Sequence, residues 1–483
     1  MLTDSVAMNW DKLLCRDRAR DLLGGSRSGV LPEEHRSQFE RDYGRSVFCT
    51  SVRRLQDKAQ VFPLEPLDAV RTRLTHSLEV STVARDLAAA AGEWMSKNRA
   101  FPLDPSRIRD VESIAATCAL IHDIGNPPFG HSGEDAIRSW FETKAEENHL
   151  FFDQDFLEVI DYRRSQRAQD FLLFEGNAQT FRIVTKLQLL NDLHGLNLTA
   201  GTLSALCKYT ARSNEVAGKG GDHEKRKPGF FASENDLINI VRNKTGTKEQ
   251  RNPITFLVEA ADDIVYSVVD IEDGIRKGVV TWDTISSWMA EHKKATGSLR
   301  QMLRSSAARI RGHTRGALDL EDKEGDQAIA QVFRTKVIFA MVQAVIREYK
   351  QNYAQIMCGD YHKELITGCE EGCVIKVCKD ACFEFVYHSP ETLQLELMGR
   401  TVIRQLMDLF WEGAAGYREG ISKSTFEGKI YHLMSKNYRR VFEHALGHGD
   451  LPEKYCRLQL VTDYICGMTD TFACATHKKM FNG

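Results

Sequence analysis

The stretch RIRDVESIAATCALIHDIGNPPFGHSGEDAI, residues 107–137, decides how this chain is interpreted. Its first half places apolar residues at the spacing of one helix face, which predicts a buried helix running up to His122 and Asp123. Gly125 and Pro127 then end that helix, because proline cannot continue a helix and glycine readily terminates one. Two histidines and several carboxylates therefore occupy one short turn with little chain freedom. Metal-assisted hydrolysis often needs this combination, and structural turns rarely do.

Helical periodicity continues through most of the chain. Apolar residues recur at helical spacing in 75–95, and a helix is predicted to begin at Pro253 and stop at Gly274. Further helices are expected around residues 325–356, 391–412 and 454–474. The segment GCVIKVCKDACFEFVYHS, residues 372–389, is rich in β-branched and aromatic residues and predicts a short hairpin. The fold class is therefore all-α, with at most a minor β-hairpin.

The composition is that of a globular protein in a reducing compartment. Hydrophobic residues make up 42% of the 483 residues and charged residues 27%, which is ordinary. The net charge of −3 gives no general attraction to nucleic acid or to an anionic membrane. No apolar run approaches the roughly 18 residues of a membrane span, and the start lacks a signal-peptide pattern. The 12 cysteines are therefore expected to be thiols, and the location cytoplasmic.

A divalent cation held at His122 and Asp123 would need further ligands from other helices. His76 and Asp262 are the candidates. Two imidazoles with two carboxylates suit Mn²⁺, Fe²⁺, Co²⁺, Zn²⁺ or Mg²⁺ in a site that leaves positions open for water and phosphate. Taken alone, the same residues are equally compatible with solvated helix surfaces.

His131 and Glu134 are candidates for proton transfer. They are three residues apart, so the carboxylate orients the imidazole if a new helix opens at Ser132 or Gly133. A histidine held by a carboxylate beside a metal is equipped to move a proton. A surface His–Glu pair is the alternative, but it leaves the rigid Pro-Pro-Phe-Gly segment before it unexplained.

His76, the segment HDIGNPPFGHSGE and the segment EAADDIVYSVVDIEDG together resemble the HD-superfamily deoxynucleoside triphosphate triphosphohydrolases, and among them the bacterial dGTP triphosphohydrolases. Further segments in family order, such as FEGNAQTFRIVTKLQ and VYHSPETLQLELMGRTVI, extend the resemblance from about residue 9 to about residue 473. It implies an HD-domain helical core with additional C-terminal helices. It also implies cleavage of a dNTP, dGTP foremost, between the α-phosphate and O5′ to a deoxynucleoside and intact triphosphate.

The resemblance also assigns residues. The metal ligands it implies, for Mn²⁺ or Mg²⁺, are His76, His122, Asp123 and Asp262. It places Arg73 on the phosphates, Tyr266 against the deoxyribose and Asp270 as acceptor of the 3′-OH. Gln60 would be a second 3′-OH contact, and Val61 would crowd the 2′ position.

Other assignments rest on weaker patterns. Lys227 is a candidate phosphate contact, with a solvated loop lysine as an equal alternative. Glu175 and Asn177 are candidates for shaping the site from behind. Arg439 and Arg440 are candidates for reading the base across a subunit boundary. The cysteines at 369, 373, 378 and 382 have a spacing that suits zinc poorly, so we expect free thiols.

We divide the chain into a catalytic core, residues 1–290 including the loop 212–229, and a helical C-terminal region, residues 291–483, for assembly and base recognition. The resemblance implies a homo-oligomer, a hexamer. Basic segments at 223–227 and 309–317 leave contact with single-stranded DNA open.

Two other functions remain in view. A 5′-nucleotidase or phosphodiesterase of the same superfamily would share the metal ligands, but it has no evident need for Tyr266 with Asp270. A non-catalytic module that senses nucleotides or single-stranded DNA would predict a broken ligand set or a missing His131–Glu134 pair. Both sets of residues are intact in this chain.

Overall fold

A computed structural model describes residues 7–25, 35–148, 164–188, 192–313 and 322–482. Helices dominate these residues, which confirms the predicted all-α class. The α-helices are α1 Trp10–Leu13, α2 Ala19–Leu22, α3 Gln38–Val47, α4 Thr50–Arg54, α5 Arg73–Met95, α6 Ile108–Ile121, α7 Gly130–Asn148, α8 Gln166–Leu172, α9 Gly176–Arg182, α10 Ala200–Leu206, α11 Asn235–Thr245, α12 Pro253–Lys277, α13 Trp282–Glu291, α14 Gly297–His313, α15 Asp322–Gln351, α16 Tyr353–Cys358, α17 Leu365–Gly368, α18 Gly372–Cys382, α19 Pro390–Ala415, α20 Phe426–Leu433, α21 Lys436–His448, α22 Glu453–Cys466 and α23 Asp470–His477.

The extended structure among the described residues is small. Strands β1 (Ala211–Arg212) and β2 (Pro228–Phe230) pair in parallel at the two ends of the predicted loop 212–229. The hairpin predicted at 372–389 is wrong, because this segment forms α18 followed by a π-helical turn, Phe383–Tyr387. Its β-branched residues are buried at helical spacing, so packing against α12 outweighs their strand preference.

The helix α12 runs one turn further than predicted. It begins at Pro253 as expected but continues past Gly274 to Lys277, and Gly278 ends it in the left-handed conformation with φ of 88°. Gly274 serves close packing instead, because a Cβ there would lie 2.8 Å from a side-chain methyl of Val386. The later predicted helices at 325–356, 391–412 and 454–474 are present as α15 with α16, α19, and α22 with α23.

Most of the core of the described residues lies in two large hydrophobic clusters, beside a small third one of Phe62, Val70 and Val386. One is built mainly from α5, α6, α12, α15 and α18, and the other mainly from α7, α9, α19 and α22. Each cluster combines residues from both sides of residue 290, so the two predicted units pack intimately on each other. The boundary at 290 stays a prediction.

Helix α15 is long and apolar. Among the described residues, Lys323–Gln351 is a helix that could cross a membrane by length and composition alone, and 44% of its most apolar stretch is buried inside the protein. Core helices share this length and composition, and Val337, Met341 and Val345 of α15 are fully buried in the first cluster.

Candidate active site

The turn that opens the site follows α6 directly. His122 caps that helix, and its Nδ1 donates to the carbonyl of Ala119 at 2.7 Å, which leaves Nε2 facing the site. Asp123 comes next and accepts from the side-chain amide of Asn126 at 2.7 Å. The turn closes at Phe129, whose φ of 63° lies in the left-handed region that non-glycine residues rarely adopt. The side chains of His122 and Asp123 therefore extend from a tightly folded segment at the end of α6.

The four candidate ligands converge from three places. Helix α5 supplies His76, and α12 supplies Asp262. Asp262 Oδ1 lies 3.1 Å from His76 Nε2 and 3.5 Å from His122 Nε2, and Asp123 Oδ1 lies 3.5 Å from the same His122 atom. Ligand atoms of His76, His122 and Asp123 all lie within 4.8 Å of one another. This donor set fits a divalent ion that prefers mixed nitrogen and oxygen ligands.

The electrostatics of this group also suit a cation. Burial raises the pKa of Asp262, but His122 and His76 outweigh it and hold the pKa well below its usual value. Burial lowers the pKa of His122, yet Asp123 and Asp262 raise it to about 9. The carboxylates thus stay ionised beside a His122 imidazole that holds a proton. A metal ion in the same place would displace that proton, since it binds neutral imidazole.

The proton-transfer candidates form a connected pair on α7. His131 Nδ1 donates to Glu134 Oε2 at 3.0 Å, and Glu134 Oε1 accepts from the backbone N–H of Gly176 at 2.8 Å. Helix α7 begins at Gly130, slightly earlier than predicted. The hydrogen bond to Glu134 raises the pKa of His131 above its ordinary value. Burial raises the pKa of Glu134, but His131 outweighs it and the pKa is lowered.

One cavity of about 620 Å³ contains all of these groups. The side chains that the sequence assigned to metal, proton transfer and substrate all line it: Gln60, Val61, Arg73, His76, His122, Asp123, His131, Glu134, Lys227, Asp262, Tyr266 and Asp270. Glu175 and Asn177 line it too, and Glu175 pairs with Lys227 at 3.0 Å. Arg439 and Arg440 lie on α21 and do not line this cavity within one chain.

Buried acceptors in the cavity have spare capacity, among them oxygens of Asp270, Gln60 and Asp263. Asp270 Oδ2 accepts from the Tyr387 hydroxyl at 2.5 Å, whereas its Oδ1 has no hydrogen-bond partner among the described residues. Gln60 Oε1 is buried and has no such partner either. Burial raises the pKa of Asp270 to about 7, against the opposing effect of the Tyr387 hydrogen bond. Buried acceptors without a donor are costly, so a donor from a ligand is the expected complement.

Sequence analysis missed several side chains that line the cavity: Lys208, Tyr209, Lys379, Tyr387, His388 and Glu396. Lys379 Nζ donates to Asp263 Oδ1 at 2.7 Å and lies 4.7 Å from the ring centroid of Tyr266. A helical interpretation of 372–389 would have given Lys379 a place on α18. The four cysteines in and next to this segment were considered as zinc ligands instead, and Lys379 was given no role. Those cysteines are free, and no metal-ligand cluster of the described residues includes a cysteine.

A second group with metal-ligand spacing lies near the cavity. His223, Glu259 and Glu364 bring ligand atoms within 4.8 Å of one another. Arg251 already contacts Glu259 at 2.8 Å, and His223 Nε2 lies 2.8 Å from the same carboxylate. Arg251 is thus an internal counter-ion for Glu259, and the group is a buried ion-pair network.

The C-terminal region reaches the turn that carries His122 and Asp123 directly through Asp470 and by way of the bridging Lys58. The buried Lys58 Nζ donates to the carbonyls of Asn126, at 2.5 Å, and Cys466, at 2.8 Å. Asp470 accepts from the backbone N–H of Phe129 at 3.0 Å. The turn that carries His122 and Asp123 is therefore braced by residues more than 300 positions away in sequence.

Comparisons with known proteins agree with this geometry. Residues 73–167 match the HD domain, and residues 372–479 match the phosphohydrolase-associated domain. A deoxyguanosinetriphosphate triphosphohydrolase-like protein of Listeria innocua is 35% identical over 487 residues, covering 96% of this chain and 98% of the relative. The deoxyguanosinetriphosphate triphosphohydrolase of Yersinia pseudotuberculosis is 32% identical over 483 residues, covering 92% and 93%.

The helical fold, the HD-domain match and the convergent histidines and aspartates define an HD-domain phosphohydrolase, a class whose HD domain implies a divalent metal. Sequence identities of 35% and 32% with these relatives, over nearly the full length of each, identify the family within this class. The chain belongs to the deoxyguanosinetriphosphate triphosphohydrolase family.

Proposed function

We propose that this protein hydrolyses dGTP, with other dNTPs as further substrates, to a deoxynucleoside and inorganic triphosphate with Mn²⁺ or Mg²⁺. The observation that carries the proposal is that one cavity, of about 620 Å³, brings the groups of the candidate active site together. It combines a metal-ligand group, a histidine–carboxylate pair, several cations and buried acceptors without donors. A metal-dependent nucleotidase of another type would have less use for those acceptors.

The cations of the cavity suit a triphosphate. Arg73 contacts Asp123 at 2.5 Å, Lys227 contacts Glu175 at 3.0 Å, and Lys208 Nζ lies 3.6 Å from Glu259. Each cation thus has an internal carboxylate partner that keeps it in place. Phosphoryl transfer rewards positioned positive charge, and arginine matches phosphate oxygens in a fixed fork.

The proposed chemistry divides between the metal group and His131. His76, His122, Asp123 and Asp262 would hold the ion. When bound there, a divalent ion supplies Lewis-acid polarisation of the α-phosphate and lowers the pKa of a water molecule. His131 uses Nδ1 to donate to Glu134, so Nε2 is the atom that can hold a proton toward the substrate. Because Glu134 raises the pKa of His131, we assign His131 as the acid that protonates the leaving O5′.

Hydrogen-bond acceptors would hold the 3′-OH of the sugar, and side-chain size would limit what fits at its 2′ position. Asp270 Oδ1 and Gln60 Oε1 are two of the buried acceptors without a donor, and the 3′-OH would supply one. Tyr266 and Val61 line the same cavity. A 2′-OH placed against an aromatic face and an aliphatic side chain would be buried without a partner, which disfavours ribonucleotides.

The 3′-OH assignment predicts a specific loss with a substrate analogue. We expect 2′,3′-dideoxy-GTP to be hydrolysed with a kcat/KM lower than that of dGTP by roughly 10- to 100-fold, because Asp270 and Gln60 are then left unpaired. Steady-state kinetics with both nucleotides measure the ratio. In Asp270→Ala with Gln60→Ala the two substrates should become nearly equal, and an unchanged ratio in that variant would contradict the assignment.

Product identification tests the proposed function. The purified protein, incubated with dGTP and Mn²⁺ or Mg²⁺, is expected to give deoxyguanosine and intact triphosphate, resolved by chromatography and ³¹P NMR. GTP alongside should give little product. Orthophosphate or pyrophosphate would place the protein with the nucleotidases or phosphodiesterases of the superfamily. Absence of turnover with either metal and with every dNTP would favour the non-catalytic sensing module.

Other assignments made from sequence remain proposals. We propose a homo-oligomer, by resemblance a hexamer, located in the cytoplasm. The basic segment 309–317, considered for single-stranded DNA, lies partly outside the described residues, from 314 onward. The basic segment 223–227 contributes His223 to the buried ion-pair network and Lys227 to the cavity, which leaves less of it for DNA.

A further inference from the structure

Helix α9, Gly176–Arg182, contacts both halves of the candidate active site but supplies neither a candidate metal ligand nor a member of the His131–Glu134 pair. Its first residue donates its backbone N–H to Glu134 Oε1 at 2.8 Å. One turn later, the Thr180 hydroxyl reaches the turn that carries His122 and Asp123. The metal-ligand turn and the histidine–carboxylate pair are therefore both fastened to one short helix.

The Thr180 hydroxyl makes two hydrogen bonds to the turn. Oγ1 accepts from the backbone N–H of Gly125 at 3.0 Å and donates to the carbonyl of His122 at 3.0 Å. Thr180 is 2% exposed, so no bulk water can replace these bonds. The hydroxyl thus fixes the backbone on both sides of Asp123, the position where a small rotation would move that carboxylate most.

The contact is also sterically tight. A Cβ on Gly125 would lie 2.2 Å from the carbonyl oxygen of Gly176 and 2.2 Å from the backbone nitrogen of Thr180. A Cβ on Gly176 would lie 2.1 Å from the side-chain oxygen of Asn126 and 2.8 Å from Glu134 Oε1. Only glycine lets the turn and α9 approach this closely, so their relative position leaves little room for adjustment.

The far end of α9 is anchored in the core. Gln179 donates to Asp463 at 2.9 Å, and Arg182 contacts Asp463 at 2.7 Å and Glu234 at 3.1 Å. All four side chains are buried. Because α22 holds Asp463, the helix cannot shift with the turn, and it acts as a fixed support.

We propose that Thr180 is a positioning residue, which sets the backbone between His122 and Gly125 and thereby the arrangement of the metal ligands. This inference rests on the proposed metal site. Partners that orient metal ligands typically change metal affinity or activity by about 10- to 100-fold when removed. Thr180 touches no ligand side chain, so its effect travels through the backbone alone.

The test is Thr180→Val, which keeps the side-chain volume and removes both hydrogen bonds. We expect Mn²⁺ to bind about 10- to 100-fold more weakly, with Thr180→Ser restoring most of the affinity. Free Mn²⁺ measured by electron paramagnetic resonance gives the dissociation constant without any turnover. The matched control is Thr185→Val, because the Thr185 hydroxyl is equally buried but donates to the carbonyls of Phe181 and Arg182 in its own helical segment, away from the turn.

The outcomes separate the positioning role from a merely structural one. Weaker Mn²⁺ binding in Thr180→Val alone, with thermal unfolding like that of Thr185→Val, supports the proposal. Wild-type Mn²⁺ affinity in a folded Thr180→Val protein overturns it. If Thr180→Val does not fold, Thr180→Cys keeps the volume and only a weak donor. Weaker Mn²⁺ binding in Thr180→Cys than in Thr180→Ser then supports the proposal, and wild-type affinity in Thr180→Cys overturns it. Failure of dGTP hydrolysis in the wild-type protein leaves this comparison intact, because metal binding is read directly.

Discussion

Replacing Asp262 by asparagine is expected to lower dGTP hydrolysis by at least about 10³-fold, because loss of the ion removes several kcal/mol of transition-state charge stabilisation. Asp262 Oδ1 lies near both candidate imidazoles, at 3.1 Å from His76 and 3.5 Å from His122. Asparagine keeps the shape of the side chain but removes its negative charge. The measurements are steady-state hydrolysis and Mn²⁺ binding on the same preparation.

The adjacent aspartate provides the matched comparison. Asp263 is also buried on α12, but its carboxylate pairs with Lys379 at 2.7 Å and faces neither imidazole. We therefore expect Asp263→Asn to retain Mn²⁺ binding while changing substrate affinity moderately. Thermal unfolding should show that both variants are folded. Loss of Mn²⁺ binding in Asp263→Asn but not in Asp262→Asn would show that the first aspartate was wrongly chosen as the ligand.

The choice between these two aspartates illustrates what the sequence can predict. A period of 3.6 residues places Asp262, Tyr266 and Asp270 on one helix face, and the structure has all three lining the cavity. The turn from His122 to His131 was equally predictable from the sequence, because proline and glycine restrict the chain locally. Helix class and the convergence of the family motifs follow from such short-range patterns.

Contacts between distant segments were not predictable in the same way. Tyr387 reaches Asp270 over a separation of 117 residues, and Lys58 reaches Cys466 over 408. No local pattern encodes these pairs. The segment 372–389 was also misjudged, since its β-branched residues predict a strand while burial against α12 makes it helical. The predicted end of α12 at Gly274 was wrong for a related reason, because tight packing and helix termination both select glycine.

The second large effect on hydrolysis is expected at the histidine–carboxylate pair on α7, His131 with Glu134. We expect His131→Ala to lower kcat by about 10²- to 10⁴-fold at saturating metal, the range usual for losing a general acid or base. Mn²⁺ affinity should stay close to that of the wild-type protein, because His131 is not among the candidate metal ligands. Asp135→Asn is the control, since Asp135 is an exposed carboxylate on the same helix that pairs with Arg138 and does not line the cavity. A His131→Ala enzyme with nearly wild-type kcat would remove His131 from the mechanism.

The pH profile then decides which way the proton moves. An acid must be protonated, so activity that depends on His131 as the acid falls as pH rises through its pKa. Glu134 raises that pKa through the 3.0 Å hydrogen bond, and Glu134→Gln should therefore lower it and shift the alkaline limb of kcat to lower pH. A base must be deprotonated, and the same variant would then shift an acidic limb to lower pH and leave the alkaline side unchanged. Movement of the alkaline limb supports protonation of the leaving O5′, because only a group that gives up its proton to the substrate loses activity when that proton is gone.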